Sequence, residues 1–158
     1  MIDDTRRQLI DNIRIAVLDK TDETELLIEA IKLIDTFSDG FDWTGFYLLK
    51  DGVLEVGPYI GPETPHEKIE LDKGICGASV SQKISIVVDD VNSDPRFLAC
   101  SINTKSEIVV PLVDDDEVLG EIDIDSNQPS FFTNEDREMF EEIAEIIVNR
   151  LKEVRVSV

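Results

Sequence analysis

The chain has 158 residues, 42% of them hydrophobic, with 35 Asp plus Glu against 15 Lys plus Arg and a formal charge of −20 at pH 7. That is one ordinary domain with enough apolar material for a core, and a surface so negative repels phosphate backbones and anionic headgroups, which argues against nucleic acid and membrane surfaces as partners. Two cysteines are too few for a disulfide-stapled secreted scaffold and have neither zinc-knuckle nor dithiol spacing, so the composition points to a reducing, cytoplasmic compartment and an acidic protein.

The first twenty residues interleave charges with apolar residues, unlike a signal peptide. No run approaches the roughly 18 to 20 apolar residues of a membrane span. Residues 1–158 therefore read as a single domain: N-terminal helices over 1–38, a sheet with its loops over 41–126 and a terminal helix over 133–156. This length leaves no room for an attached output domain.

In chain order, Leu9, Ile13, Ala16 and Val17 recur at helical spacing within Asp3 to Lys20. A second helix follows, with Asp22 as its cap, Glu25 three residues on, and Leu27, Ala30, Ile31 and Ile34 on one side. The helices are apolar on one side, and the sequence leaves open whether they cover the sheet or form a homodimer interface. The pattern then turns aromatic and β-rich in FDWTGFYLLKDGVLEVGPYIG, where Lys50-Asp51-Gly52 reads as a hairpin turn. Alternation places Phe41, Trp43, Gly45, Tyr47 and Leu49 on one face, so Trp43 and Tyr47 point the same way.

Pro62 to Asp72 is a polar loop with a short strand near Lys68 to Leu71, and KGICG leads into a small-residue turn and short helix. ISIVVDDV reads as a buried strand and NSDPRFLACSINTK as irregular, since Pro95 blocks pairing. SEIVVPLVDDDEVLGEIDIDS is a hairpin turning at Asp114-Asp115-Asp116, and Thr133-Asn134-Glu135-Asp136 opens the terminal helix in the manner of a capping box. This order predicts an α+β fold: an antiparallel sheet with N- and C-terminal helices packed on one face.

Three features could carry chemistry. Glu121, Asp123 and Asp125 share one face of a strand, which is either a solvated sheet face or a pocket floor that binds a cationic group or holds a proton. Cys76 and Cys100 each lie in a loop-like stretch with small neighbours; free cysteines are often inert core residues, yet two that met in space would make a sulfenate and its resolving thiol. His66 is the one histidine, in a polar loop, and reads as a surface residue. No G-x-S-x-G, G-x-G-x-x-G or P-loop pattern is present. A zinc site would have to recruit carboxylates scattered over three segments, and no metal or cofactor is expected.

DWTGFYLLKDG, KGICG, FLACSINTKSEIVVPL and LGEIDIDS, in this order and followed by FFTNEDREMFEEIAEII, resemble the free methionine-(R)-sulfoxide reductases, which are stand-alone GAF-domain proteins. The resemblance spans roughly Phe41 to Leu151 and implies a GAF-like fold. It matches Cys100 in FLAC to the family's catalytic cysteine and Cys76 in GICG to a second cysteine able to form a disulfide with it. It matches Glu107, Asp123 and Asp125 to the acidic residues of the family pocket, and Trp43 and Tyr47 to its aromatic wall. Two positions depart: His66 stands where a further cysteine is common, and Ser101 where an aspartate is usual.

What the resemblance implies is an enzyme that reduces the R sulfoxide of free methionine. The Cys100 thiolate attacks sulfur, Glu107 or Asp125 protonates the oxygen, Asp123 faces the substrate's ammonium, Trp43 and Tyr47 pack its methyl end, Cys76 resolves the sulfenic acid and thioredoxin restores the thiols. Acidic surroundings raise a thiol's pKa, and Arg96 and Lys105 are the nearby cations in sequence that could offset them. The alternatives are a GAF-type sensor that binds a small molecule without chemistry, and a degenerate relative that binds the sulfoxide without turnover.

Overall fold

The computed structural model describes residues 1–98 and 102–156. Helices α1 (Asp4–Val17) and α2 (Glu23–Asp35) come first, followed by the hairpin of β1 (Trp43–Lys50) and β2 (Val53–Ile60). Next are the short β3 (Lys68–Glu70), α3 (Gly74–Gln82), the short β4 (Ile86–Val88) and a 3-10 turn at Val91–Ser93. The hairpin of β5 (Ser106–Asp114) and β6 (Glu117–Ser126) leads to the long α4 (Asn134–Val156). The strands form one antiparallel sheet in the order β3-β2-β1-β6-β5-β4.

Local chemistry explains the boundaries. The carboxylates of Asp3 and Asp22 accept from the N–H groups of Arg6 and Glu25 and start α1 and α2. Thr133 and Asp136 bond reciprocally, Asp136 N–H to Thr133 Oγ1 at 3.1 Å and Thr133 N–H to Asp136 Oδ2 at 2.9 Å, which is a capping box at the start of α4. Arg6 then clamps that cap from α1, its Nε and Nη2 lying 2.9 and 2.8 Å from Asp136 Oδ1. The β1–β2 turn is made by Asp51 and Gly52, with φ of 52° and 79°, the positive pair that suits the twist of a two-residue hairpin.

The sheet has two dissimilar faces. Phe46 and Leu48 of β1, Ile108, Val110 and Leu112 of β5, and Ile122 and Ile124 of β6 pack beneath α1, α2 and α4 in the main core. Ile10, Ile13, Leu26, Ile34, Phe140 and Ile147 are fully buried there; α2 packs on β1 and β2, α4 on β5 and β6, and α1 lies against α2 and α4. Phe41 belongs to this side as well, stacked on Phe37 and Phe132, because it precedes β1 and is free of the strand's alternation. The opposite face is covered by α3 and the loops around it, over a smaller apolar cluster that includes Trp43, Tyr47, Ile75, Cys76 and Val109.

Two local expectations need correction. Of the run Ile84 to Val91, only Ile86–Val88 is strand; among the described residues β4 is the sheet edge and pairs with β5 alone, and the 3-10 turn capped by Asp90 takes the chain away. KGICG is not a turn ahead of a helix: α3 begins at Gly74, so Cys76 sits in its first turn and not in a loop. No helix among the described residues is long and apolar enough to cross a membrane.

Candidate active site

The central strands decide what lies under α3. Trp43, Gly45 and Tyr47 of β1 stand opposite Asp125, Asp123 and Glu121 of β6, and Glu107 and Val109 of β5 stand opposite Asp125 and Asp123. Because side chains alternate, all of these point to the same face, the one that the three large helices leave to α3. The carboxylate row is therefore a pocket floor and not a solvated sheet face. Glu121 is 0% exposed, Asp123 and Asp125 2% each, and Glu107 5%.

α3 delivers Cys76 onto this floor. Gly74 opens the helix at φ 66°, and Gly77 lets it sit directly on the preceding segment, since a Cβ there would lie 2.8 Å from the carbonyl oxygens of both Glu70 and Leu71. The Cys76 thiol is free and buried, and its Sγ lies within 4.8 Å of carboxylate oxygens of Glu107 and Asp123, which are as close to each other. These three line a small cavity with Tyr47, Ile75 and Leu98.

The aromatic wall is stacked and fastened. Trp43 lies on Tyr59 at 5.1 Å between ring centroids and on Tyr47 at 6.0 Å. Trp43 Nε1 donates to the carbonyl of Pro62 at 3.1 Å, and the Tyr47 hydroxyl donates to the carbonyl of His66 at 2.9 Å. The loop between β2 and β3 is thus pinned over the pocket by the rings beneath it, with His66 N–H bonded to Thr64 Oγ1 at 3.1 Å. Beside it, Asp42, Trp43, Pro62, Thr64, Asn103 and Asp125 help to line a cavity of about 160 Å³ that leads toward the carboxylates.

Electrostatics in this pocket run toward protonation. Burial is the main cause for every member, since a charge in a low dielectric is disfavoured. Burial and the charges of Asp123 and Asp125 push Glu107 well above the carboxylate range. Burial and Asp123 do the same to Glu121 and Asp125. Asp123 is raised by burial and partly held down by hydrogen bonds from Glu107 and Cys76. The Cys76 thiol is pushed well above its ordinary value by burial and by the charges of Asp123, Glu121 and Glu107. Both carboxyl oxygens of Glu121, and Oδ1 of Asp123 and of Asp125, have no hydrogen-bond partner among the described residues.

Arg96 is held by Asp94, Nε to Oδ1 at 3.0 Å and Nη2 to Oδ2 at 2.7 Å, which keeps Asp94 below its usual range and commits the guanidinium. Lys105 is exposed. Cys100 and Ser101 lie outside the described residues. Tyr59 was not singled out in the sequence, although the hairpin register that puts it opposite Gly45 was a usable signal. Glu121 was visible there only as a third acid on the face.

A GAF domain model matches residues 24–151, most of the chain. The chain belongs to the GAF domain family. This GAF protein is 39% identical over 110 residues, 67% of its length, to the free methionine-R-sulfoxide reductase of Saccharomyces cerevisiae, and 37% identical over 97 residues, 61% of its length, to that of Escherichia coli. The matches span 61% and 58% of those two proteins. Its fold superposes on the free methionine-R-sulfoxide reductase of Neisseria meningitidis in complex with its substrate, with a TM-score of 0.93 at 31% identity, over 100% of this chain and 96% of the other.

Proposed function

We propose that this GAF protein reduces free methionine-(R)-sulfoxide to methionine by thiol chemistry. The observation that carries the reading is the buried group of Cys76, Glu107, Asp123 and Asp125 walled by Trp43 and Tyr47, in a chain similar throughout to reductases of that substrate. The site pairs what sulfoxide reduction needs: a neutral acid to protonate the departing oxygen, and apolar surface for a thioether.

The Cys100 thiolate attacks the sulfoxide sulfur while a protonated carboxyl, Glu107 or Asp125, gives its proton to the oxygen. Methionine leaves and Cys100 becomes a sulfenic acid. Asp123 faces the substrate's ammonium, and the rings of Trp43 and Tyr47 pack against its methyl end. Cys76 then attacks the Cys100 sulfur, its proton leaves with the sulfenic oxygen as water, and a disulfide forms. An external dithiol of the thioredoxin class takes up that disulfide and restores both thiols.

The test is incubation with dithiothreitol and separated R and S epimers of free methionine sulfoxide, with Cys100→Ser as control and methionine measured by chromatography. Consumption of the R epimer alone, abolished in the control, is the expected result. Thermal protection by the R epimer with no methionine formed would overturn the reading in favour of a binding module.

A further inference from the structure

Cys76 Sγ and carboxylate oxygens of Glu107 and Asp123 come from three elements, α3, β5 and β6, and converge within 4.8 Å of one another. All three side chains are more than nine-tenths buried. The cavity that they help to line measures about 10 Å³, which holds a single water-sized atom. Asp123 Oδ1, within this group, has no hydrogen-bond partner among the described residues, nor has either oxygen of Glu121, the next acid along the same face. Buried carboxyl oxygens are ordinarily bonded, and an ionised carboxylate in such a place requires a cation or a proton. One sulfur with carboxylate oxygens around a one-atom hole is the donor set of a borderline divalent ion such as Zn²⁺, bound tetrahedrally at about 2.3 Å to sulfur and about 2.0–2.2 Å to oxygen. Mg²⁺ prefers an octahedral oxygen shell that retains waters, for which there is no room.

We propose that this pocket binds a thiophilic divalent cation of the Zn²⁺ class through Cys76 Sγ and carboxylate oxygens of Glu107 and Asp123. Bound there, the ion closes the site to sulfoxide chemistry. Binding releases the thiol proton and any carboxyl protons of the ligands to solvent, with no change of oxidation state. Side-chain shifts of about an ångström bring the donors to bonding distance. The metal site stands on the geometry alone; its effect on turnover rests on the reductase reading.

The test is titration of the pre-reduced, metal-free protein with Co²⁺. The expected result is a thiolate-to-cobalt charge-transfer band in the near ultraviolet and the intense visible bands of four-coordinate cobalt. One equivalent of Zn²⁺ removes both and excess Mg²⁺ neither. Cys100→Ser and Asp116→Asn keep the charge-transfer band, and Cys76→Ser loses it. X-ray absorption of the zinc-loaded unmodified protein, which does not depend on any variant folding, shows one sulfur at about 2.3 Å among oxygens. An all-oxygen shell, the absence of cobalt bands, or loss of the charge-transfer band in Cys100→Ser and not in Cys76→Ser would each overturn the site. Stoichiometric Zn²⁺ lowers single-turnover methionine formation at least about tenfold, and a chelator restores it. Cobalt bands in a protein that never forms methionine would overturn the reductase reading and leave the metal site standing. Undiminished turnover in the zinc-loaded protein would overturn the claim of closure.

Discussion

Glu107 and Asp125 stand directly opposite one another across the β5–β6 ladder, both more than nine-tenths buried and both pushed well above the ordinary carboxylate range. Burial is the leading cause for each, with the charge of Asp123 next. Both shifts favour the protonated form, which is the state a proton donor must have. Glu107→Gln keeps the shape and removes that proton. It is expected to lower methionine formation at saturating sulfoxide by about 10²–10⁴-fold, measured beside Asp125→Asn. A larger loss in Asp125→Asn would assign the donor to Asp125.

Glu121 supplies a stability prediction. Its folded-state pKa is raised above the unfolded value, so the folded chain keeps a proton that the unfolded chain releases. Its contribution is fully present below the ordinary value near 4.5 and is lost as pH rises through the folded-state pKa. Glu121→Gln, a neutral group of the same shape, should match the unmodified protein at pH 4 and exceed it at pH 8 by about 1–3 kcal/mol. Calorimetric melting temperatures across that range check it; a constant difference between the two proteins would refute the titration.

Tyr47→Phe keeps the ring and removes its donation to the His66 carbonyl. The expected cost is about 1 kcal/mol of stability, with faster amide exchange in residues 62–66. Unchanged exchange in that loop would show that Pro62 and Thr64 hold it without Tyr47.

Gly77→Ala places a methyl carbon 2.8 Å from two backbone carbonyl oxygens, which cannot swing aside as a side-chain tip would. Lifting α3 to make room should cost about 1–3 kcal/mol and raise the rate at which an alkylating reagent reaches Cys76. Equal alkylation rates in the variant and the parent would show that α3 does not move.

The caps at Asp22 and Thr133, both hairpins and the shared face of Glu121, Asp123 and Asp125 were legible in the sequence because each is set by residues close together in the chain. The burial of that face was not. It depends on β6 pairing with β1, about 80 positions away in sequence, and on α3 lying across both, and alternation alone fits water or protein equally well. The setting of Cys76 was missed for a similar reason: glycines on either side suggest a turn, whereas here one opens a helix and the other seats it on a backbone.

The indole N–H of Trp43 and the hydroxyl of Tyr47 both end on carbonyls of the loop that roofs the pocket. The surface that a guest would touch and the latch of the door behind it are the same two side chains. A substitution that reshapes the wall for a different guest must therefore also loosen the latch, so selectivity and access in this pocket cannot be altered independently.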